Sequence, residues 1–299
     1  MAPILLLAGV FVAVALVSGN NLSACVGTTI GARILDRRSA KTLGVIGIVT
    51  GLVVQGSSMS TAIHELFPIS SALLVSEALF VTALAFTIAN AMGAPLSLSM
   101  SLVGLLIGLS ASRHLQMDYT YASTVVGMWF VAPVIAVICT FLLLRVINRT
   151  KTADVWRRVR LYKALLIAFS FLGSYALGAN TVGLVVAAGG FETMTILVSI
   201  IAVVLGIIFL SDREIKRVGE DIFSLKYSNA LAALLISTIL VEFATVLAIP
   251  LSSTQTLSAG VLGAGAAYSH RAMSLRPFLV IVLAWVVLPI LCFVIGYIL

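Results

Sequence analysis

The sequence predicts an all-α polytopic membrane protein made of two inverted-topology repeats of five spans each. Broken helices and helix N-termini are expected to meet at the midplane. Three observations carry this expectation. The 299 residues are 61% hydrophobic and only 10% charged, with a mean hydropathy of +1.18, whereas soluble domains carry roughly 25% charged residues. Ten apolar runs, each suited to a hydrocarbon core ~30 Å thick, alternate with short polar breaks. The basic residues crowd into alternate breaks, as cytoplasmic loops do.

The first five runs cover residues 3–35, 43–59, 70–92, 95–111 and 122–147. The first has no Lys or Arg ahead of it and many spans behind it, so it reads as a span and not as a cleaved leader. It is interrupted at Asn20-Asn21 and closed by the basic stretch from Arg33. The second follows Lys41, the third follows Pro68, the fourth opens at Pro95, and the fifth closes at Arg145. After a basic connector, the second five cover 164–190, interrupted at Asn180, then 193–210, 228–249, 251–268 and 277–298. The chain therefore divides into repeat 1 (1–148), connector (149–163) and repeat 2 (164–299).

With the N-terminus outside, the inside loops are 33–42, 145–163, 211–227 and 268–276, and they hold 17 of the 18 Lys and Arg residues. Only Arg113 falls outside. Positive-inside threading thus puts both termini outside a multi-pass cell-membrane protein, and makes the net charge of +7 a topology signal. The bilayer is the expected partner and nucleic acid is not. The three cysteines, Cys25, Cys139 and Cys292, lie in apolar runs without C-x-x-C spacing and read as small buried hydrophobes.

The halves repeat one another. Gly19-Asn20-Asn21 has a counterpart in Gly178-Ala179-Asn180-Thr181. Ala94–Gly108 (APLSLSMSLVGLLIG) matches Ile249–Gly263 (IPLSSTQTLSAGVLG), and Trp129–Pro133 (WFVAP) matches Trp285–Pro289 (WVVLP). The offsets of 160, 155 and 156 residues form one register. An odd number of spans per repeat makes the second enter the membrane inverted, as in secondary transporters that alternate access around a midplane site.

Polar backbone at membrane depth persists only where protein or a water-filled cavity covers it. Pro95 and Pro250 suit the first turn of a new helix. Hydroxyls follow at once: Ser97, Ser99 and Ser101 in one repeat, Ser252, Ser253, Thr254 and Thr256 in the other. A helix start carries about half a positive charge and free N–H donors, so two such starts dressed with hydroxyls and amides make an anion cradle. No Lys or Arg accompanies them, and neutral donors suit an ion that must be released.

Simpler readings compete. Ser and Thr are common interhelical glue, and Gly27, Gly31, Gly104 and Gly108 can serve close packing alone. Glu77 and Glu242 are the acidic residues deep in spans, where a charge costs ~2.5–3.5 kcal/mol. Desolvation favours the protonated form of such a carboxyl, so both are coupling-ion candidates. Gln55, Ser57 and Ser58 serve packing as readily as function. His64, His114 and His270 fall in loops, form no cluster and provide no metal site.

At these residues the sequence resembles the inorganic phosphate transporter (PiT) family. Ser18–Thr28 (SGNNLSACVGT) is similar to the family's G-A-N-D-V-A-N-A-x-G-T signature. PLSLSM (95–100) and PLSSTQ (250–255) are similar to its P-V-S-T-T-H motif, and Asp212–Ile222 to its cytoplasmic R-V-x-x-T-V-G-x-x-I segment. The resemblance spans nearly the whole chain. It implies an inverted-repeat permease coupling uptake of a tetrahedral oxyanion to Na⁺ or H⁺, with no cofactor. It places substrate at Asn20, Asn21, Ser97, Ser99, Asn180, Thr181, Ser252, Ser253 and Thr254.

Departures from the motif bear on substrate. Its aspartates become Asn21 and Thr181, its histidines Met100 and Gln255, and its second asparagines Ala24 and Leu184. A carboxylate accepts the remaining proton of phosphate, which sulfate lacks at neutral pH. Inorganic phosphate is the expected substrate and sulfate the alternative within the family. A passive anion channel would share the cradle, and assembly into a homo-oligomer is open. No span holds a Ser-His or Cys-His pair or a ligand cluster, so an intramembrane enzyme is not expected.

Overall fold

The computed structural model describes residues 2–68, 71–91, 97–149, 155–216, 227–268 and 275–299. Pro95, His270, Arg271 and parts of the basic connector and of the 212–222 segment lie outside them. Twelve α-helices follow one another: α1 (Ala2–Gly31), α2 (Arg37–Gln55), α3 (Met59–Leu66), α4 (Ala72–Ala91), α5 (Leu98–Ser112), α6 (Tyr119–Arg149), α7 (Val155–Leu177), α8 (Gly183–Ala188), α9 (Thr193–Lys216), α10 (Tyr227–Val246), α11 (Ser253–Tyr268) and α12 (Leu275–Ile298). A 3₁₀ turn at Gly56–Ser58 joins α2 to α3, and a π-turn at Gly178–Val182 joins α7 to α8. The chain is an all-α polytopic membrane protein, and each apolar run becomes one helical segment.

Seven helical segments among the described residues are long and apolar enough to cross a membrane. Helix α5 has 15 residues and α11 has 16, about 22–24 Å at 1.5 Å per residue, short of a ~30 Å core. α5 packs on α4 and α11 on α10, and each starts at a buried residue. α1 corrects one expectation, since it runs unbroken through Asn20-Asn21. Its polar side chains bond locally, Asn20 Nδ2 to Asn21 Oδ1 at 3.0 Å and Ser23 Oγ to the Asn20 carbonyl at 2.9 Å, so no backbone break is needed. His64 sits in the last turn of α3, where the sequence predicted a loop.

Packing comes in reciprocal pairs. α1 lies on α9 as α7 lies on α2, α1 on α4 as α7 on α10, and α5 on α12 as α11 on α6. Glycines permit the closest of these crossings: a Cβ on Gly206 would sit 2.2 Å from the Ala15 carbonyl oxygen, and one on Gly51 2.0 Å from that of Tyr175. Helix association in lipid depends on such close approach. We expect Gly206→Val to cost about 1–3 kcal/mol or more by overpacking. Gly127→Ala, where no atom lies within 4 Å, should instead gain about 0.5–1 kcal/mol of helix propensity. Denaturation in detergent checks the opposite signs.

The loops sort to two faces. On one, Arg113 donates to the Leu299 carbonyl at 3.0 Å, and the Asp118 N–H to Glu65 at 3.0 Å. A cleft there is walled by Leu6, His64, Ser71 and Glu192. On the other face Lys41 pairs with Asp212 at 2.8 Å, tying α2 to α9. Asp36 there caps α2, accepting the N–H groups of Arg38 and Ser39. Its carboxyl is held below the usual range, chiefly by the Ser39 side chain.

Candidate anion-binding site

The segment between α10 and α11 is where extended backbone enters the protein. Ala248 has φ +56°, and 249–252 are extended or irregular. Four of this segment's backbone groups find side-chain partners. Asn180, fully buried in the π-turn, donates from Nδ2 to the Ile249 carbonyl at 2.9 Å and to Thr245 Oγ1 at 3.1 Å. Its Oδ1 accepts the Leu251 N–H at 3.0 Å. From α6, Trp129 Nε1 donates to the Pro250 carbonyl at 3.2 Å, the Tyr121 hydroxyl to the Ala248 carbonyl, and Gln255 Nε2 returns a bond to the Trp129 carbonyl at 2.9 Å. A π-turn widens the helix by one residue and recurs at functional sites. Here it lets Asn180 reach the turn.

Both hydroxyl motifs fold into the same local structure. Ser97 Oγ caps α5 by accepting the Met100 N–H at 3.3 Å, and Ser252 Oγ accepts the Gln255 N–H at 3.3 Å. Each capping hydroxyl meets a second one two residues on, Ser97 with Ser99 and Ser252 with Thr254, both at 3.0 Å. The fourth residue back-bonds, Ser101 to the Ser97 carbonyl at 2.9 Å and Thr256 to that of Ser252 at 3.2 Å. This corrects the proline reading. Pro250 stands two residues ahead of the cap, outside the first helical turn, where its carbonyl accepts from Trp129.

The start of α11 lies deep. Ser237, about half-way along α10, donates to the Ser253 carbonyl at 3.4 Å and shares a 2.7 Å bond with Thr256. Among the described residues, Ser253 Oγ is buried without a protein partner, as are Thr238 Oγ1, Thr181 Oγ1, Ser18 Oγ and Asn20 Oδ1. Met100 and Gln255, at equivalent places in the two hydroxyl turns, wall one apolar cavity of about 260 Å³ together with Trp129 and Trp285. One side chain from each of α5 and α11 thus lines this cavity, while Ser253 borders a separate void.

The predicted residues separate into groups. Ser97, Ser99, Ser252 and Thr254 lie in the helix-start turns, Ser253 is turned toward a small void, and Asn180 is fully engaged in holding the α10–α11 turn. Asn20 and Asn21 pair with each other and have no hydrogen bond to either hydroxyl turn among the described residues. Glu242 is half-buried, with Oε2 unpartnered, one turn before Thr245, the acceptor of Asn180. Glu77 is exposed on α4 in a stripe with Leu73, Phe80 and Leu84. It faces the surroundings of the bundle and not the hydroxyl turns. Tyr175, unpredicted, donates to Gln55 Oε1 at 3.0 Å. No group of three metal-binding side chains is present among the described residues.

Residues 17–296 match the profile of the Phosphate transporter family. The chain belongs to this family. A Methanocaldococcus jannaschii protein named as a phosphate permease is 26% identical over 95% of this chain and 92% of its own. A Bacillus subtilis protein named as a low-affinity inorganic phosphate transporter is 24% identical over 66% of this chain and 65% of its own. A solved structure described as the sodium-dependent phosphate transporter shares the fold, with a TM-score of 0.88 over 99% of this chain and 97% of that one at 19% identity. This phosphate transporter family member is a multi-pass membrane protein and not an enzyme.

Proposed function

We propose that the chain is a secondary active transporter for inorganic phosphate, coupled to a cation and alternating access between two inverted repeats, 1–148 and 164–299. The connector 149–163 is cytoplasmic in this reading and both termini are outside. The carrying observation is the duplicated helix start: a capping serine, a second hydroxyl and free first-turn N–H groups, at Ser97–Ser101 and again at Ser252–Thr256. Such ends attract anions without a fixed positive charge. Reciprocal helix packing, the internal sequence register and the sodium-dependent phosphate transporter that shares the fold support the rest of the reading.

Ser253, with its buried hydroxyl unpartnered among the described residues, is the leading donor to the anion; Thr254 in the same turn and Ser97 and Ser99 in the other are the further hydroxyls of this reading. Asn21 and Thr181, buried where the resemblance implies aspartates, each donate as well as accept, so they can meet the protonated and bare oxygens of phosphate. Asn180 acts as a positioning residue for the turn. Glu242 is the coupling group in this reading, half-buried with Oε2 unpartnered and one helical turn before Thr245, the acceptor of Asn180.

Proteoliposomes with imposed Na⁺ or H⁺ gradients test this directly. Labelled phosphate should accumulate above equilibrium when a cation gradient is imposed, and excess sulfate should compete weakly. Accumulation of sulfate in preference would move the chain to the sulfate reading. Flux that only dissipates the anion gradient would identify a channel.

A further inference from the structure

Beneath Ser253, on the side of the basic loops, lies a seam between two helix pairs. Each pair is tied internally by hydroxyls: α1 to α7 through Thr29 and Ser170, and α10 to α11 through Ser237 and Thr256. A void of about 10 Å³ sits between the pairs, walled by Ala24 and Cys25, Gly173, Thr238 and Ser253. That volume suits a single water at most. The hydroxyls of Ser253 and Thr238, at 7% and 6% exposure, border it without a protein partner. Cys25 is six residues from Gly31, the last of α1, about 9 Å along the axis. Ala24 and Leu234, which also wall the void, belong to an apolar cluster distinct from the main core, with Leu166, Leu231 and Leu257 and backed by Tyr162 and Tyr227.

We propose that this cluster is the cytoplasmic gate, and that the anion leaves Ser253 past Cys25 when α10 and α11 part from α1 and α7. The inference rests on the transporter reading and adds the route and its moving surfaces. Contacts across the inner seam are van der Waals packing of leucines and small residues, which part and re-form without orphaning a hydrogen bond. At the outer end, Asn180 holds the α10–α11 turn to the π-turn through three bonds, so the seam hinges there and opens inward.

The native thiol reports the motion. A membrane-impermeant cationic methanethiosulfonate is applied to inverted and right-side-out vesicles during phosphate turnover, and the Cys25 peptide is quantified by mass spectrometry, separately from Cys139 and Cys292. Cys25 should be modified about tenfold or more faster in inverted vesicles, as expected of a path exposed only on the cytoplasmic side. Leu231→Ala, which thins the plug, should raise that rate several-fold, and Leu231→Trp should lower it. Modification that is equal or faster from outside, or absent in protein that is transporting phosphate, would overturn the gate. If Cys25 labels from the cytoplasmic side while phosphate uptake is absent, the gate stands and the substrate assignment fails.

Discussion

Glu242→Gln is expected to abolish gradient-driven phosphate accumulation while leaving equilibrium phosphate binding within about twofold, a difference of under ~0.5 kcal/mol. Glutamine keeps the size and hydrogen-bonding capacity of a protonated carboxyl and removes only the titration. With Glu242 as the coupling group, a side chain fixed in the neutral form cannot return the cycle against a gradient. Exchange of phosphate between equal internal and external pools should persist, because it needs no net movement of the coupling ion. Full pH-gradient-driven accumulation by the variant would remove Glu242 from the mechanism. Strict sodium dependence of the wild type, indifferent to pH gradients, would assign coupling elsewhere.

Asn180→Leu should be the most destabilising substitution at the site. It leaves the Leu251 N–H and the Ile249 carbonyl buried without partners and frees Thr245. Hydrogen bonds within membranes are worth roughly 0.6–2 kcal/mol each, so losing three predicts about 2–6 kcal/mol. Thr245→Val removes one of the three and should cost about 1 kcal/mol. Unfolding in mild detergent gives the ranking, and stability of Asn180→Leu within ~0.5 kcal/mol of wild type would mean that the turn is held by packing alone. Phosphate uptake should fall with it, since the start of α11 loses its anchor.

Much of this architecture was legible in the sequence because hydrophobic length is a strong signal. The run 228–249 became α10 at 227–246, and 251–268 became α11 at 253–268. The hydroxyl turns were legible because a serine followed by two more hydroxyls at fixed spacing makes its hydrogen bonds within five residues. Features that depend on distant partners were not. Asn20 and Asn180 hold matching places in the internal sequence register, yet Asn20 bonds locally inside an unbroken helix and Asn180 sits where the helix widens and holds a turn about 70 residues on. Trp129 and Pro250 are 121 residues apart, and no local pattern announces their bond. Glu77 and Glu242 look alike as intramembrane carboxyls, but the face each presents depends on which neighbours cover its helix.

Phosphate binding to the serine variants tests the central claim most directly. Ser253 Oγ makes no hydrogen bond within the protein, so Ser253→Ala should leave folding stability unchanged. Ser97→Ala should lose a cap worth about 1 kcal/mol without unfolding the chain. Each hydroxyl removed from the anion should weaken binding by about 1–3 kcal/mol, so isothermal titration of purified protein should find the double variant at least about 25-fold weaker than wild type. Unchanged phosphate affinity in the folded double variant would return these serines to helix capping and packing, and the duplicated helix starts would no longer be the anion site.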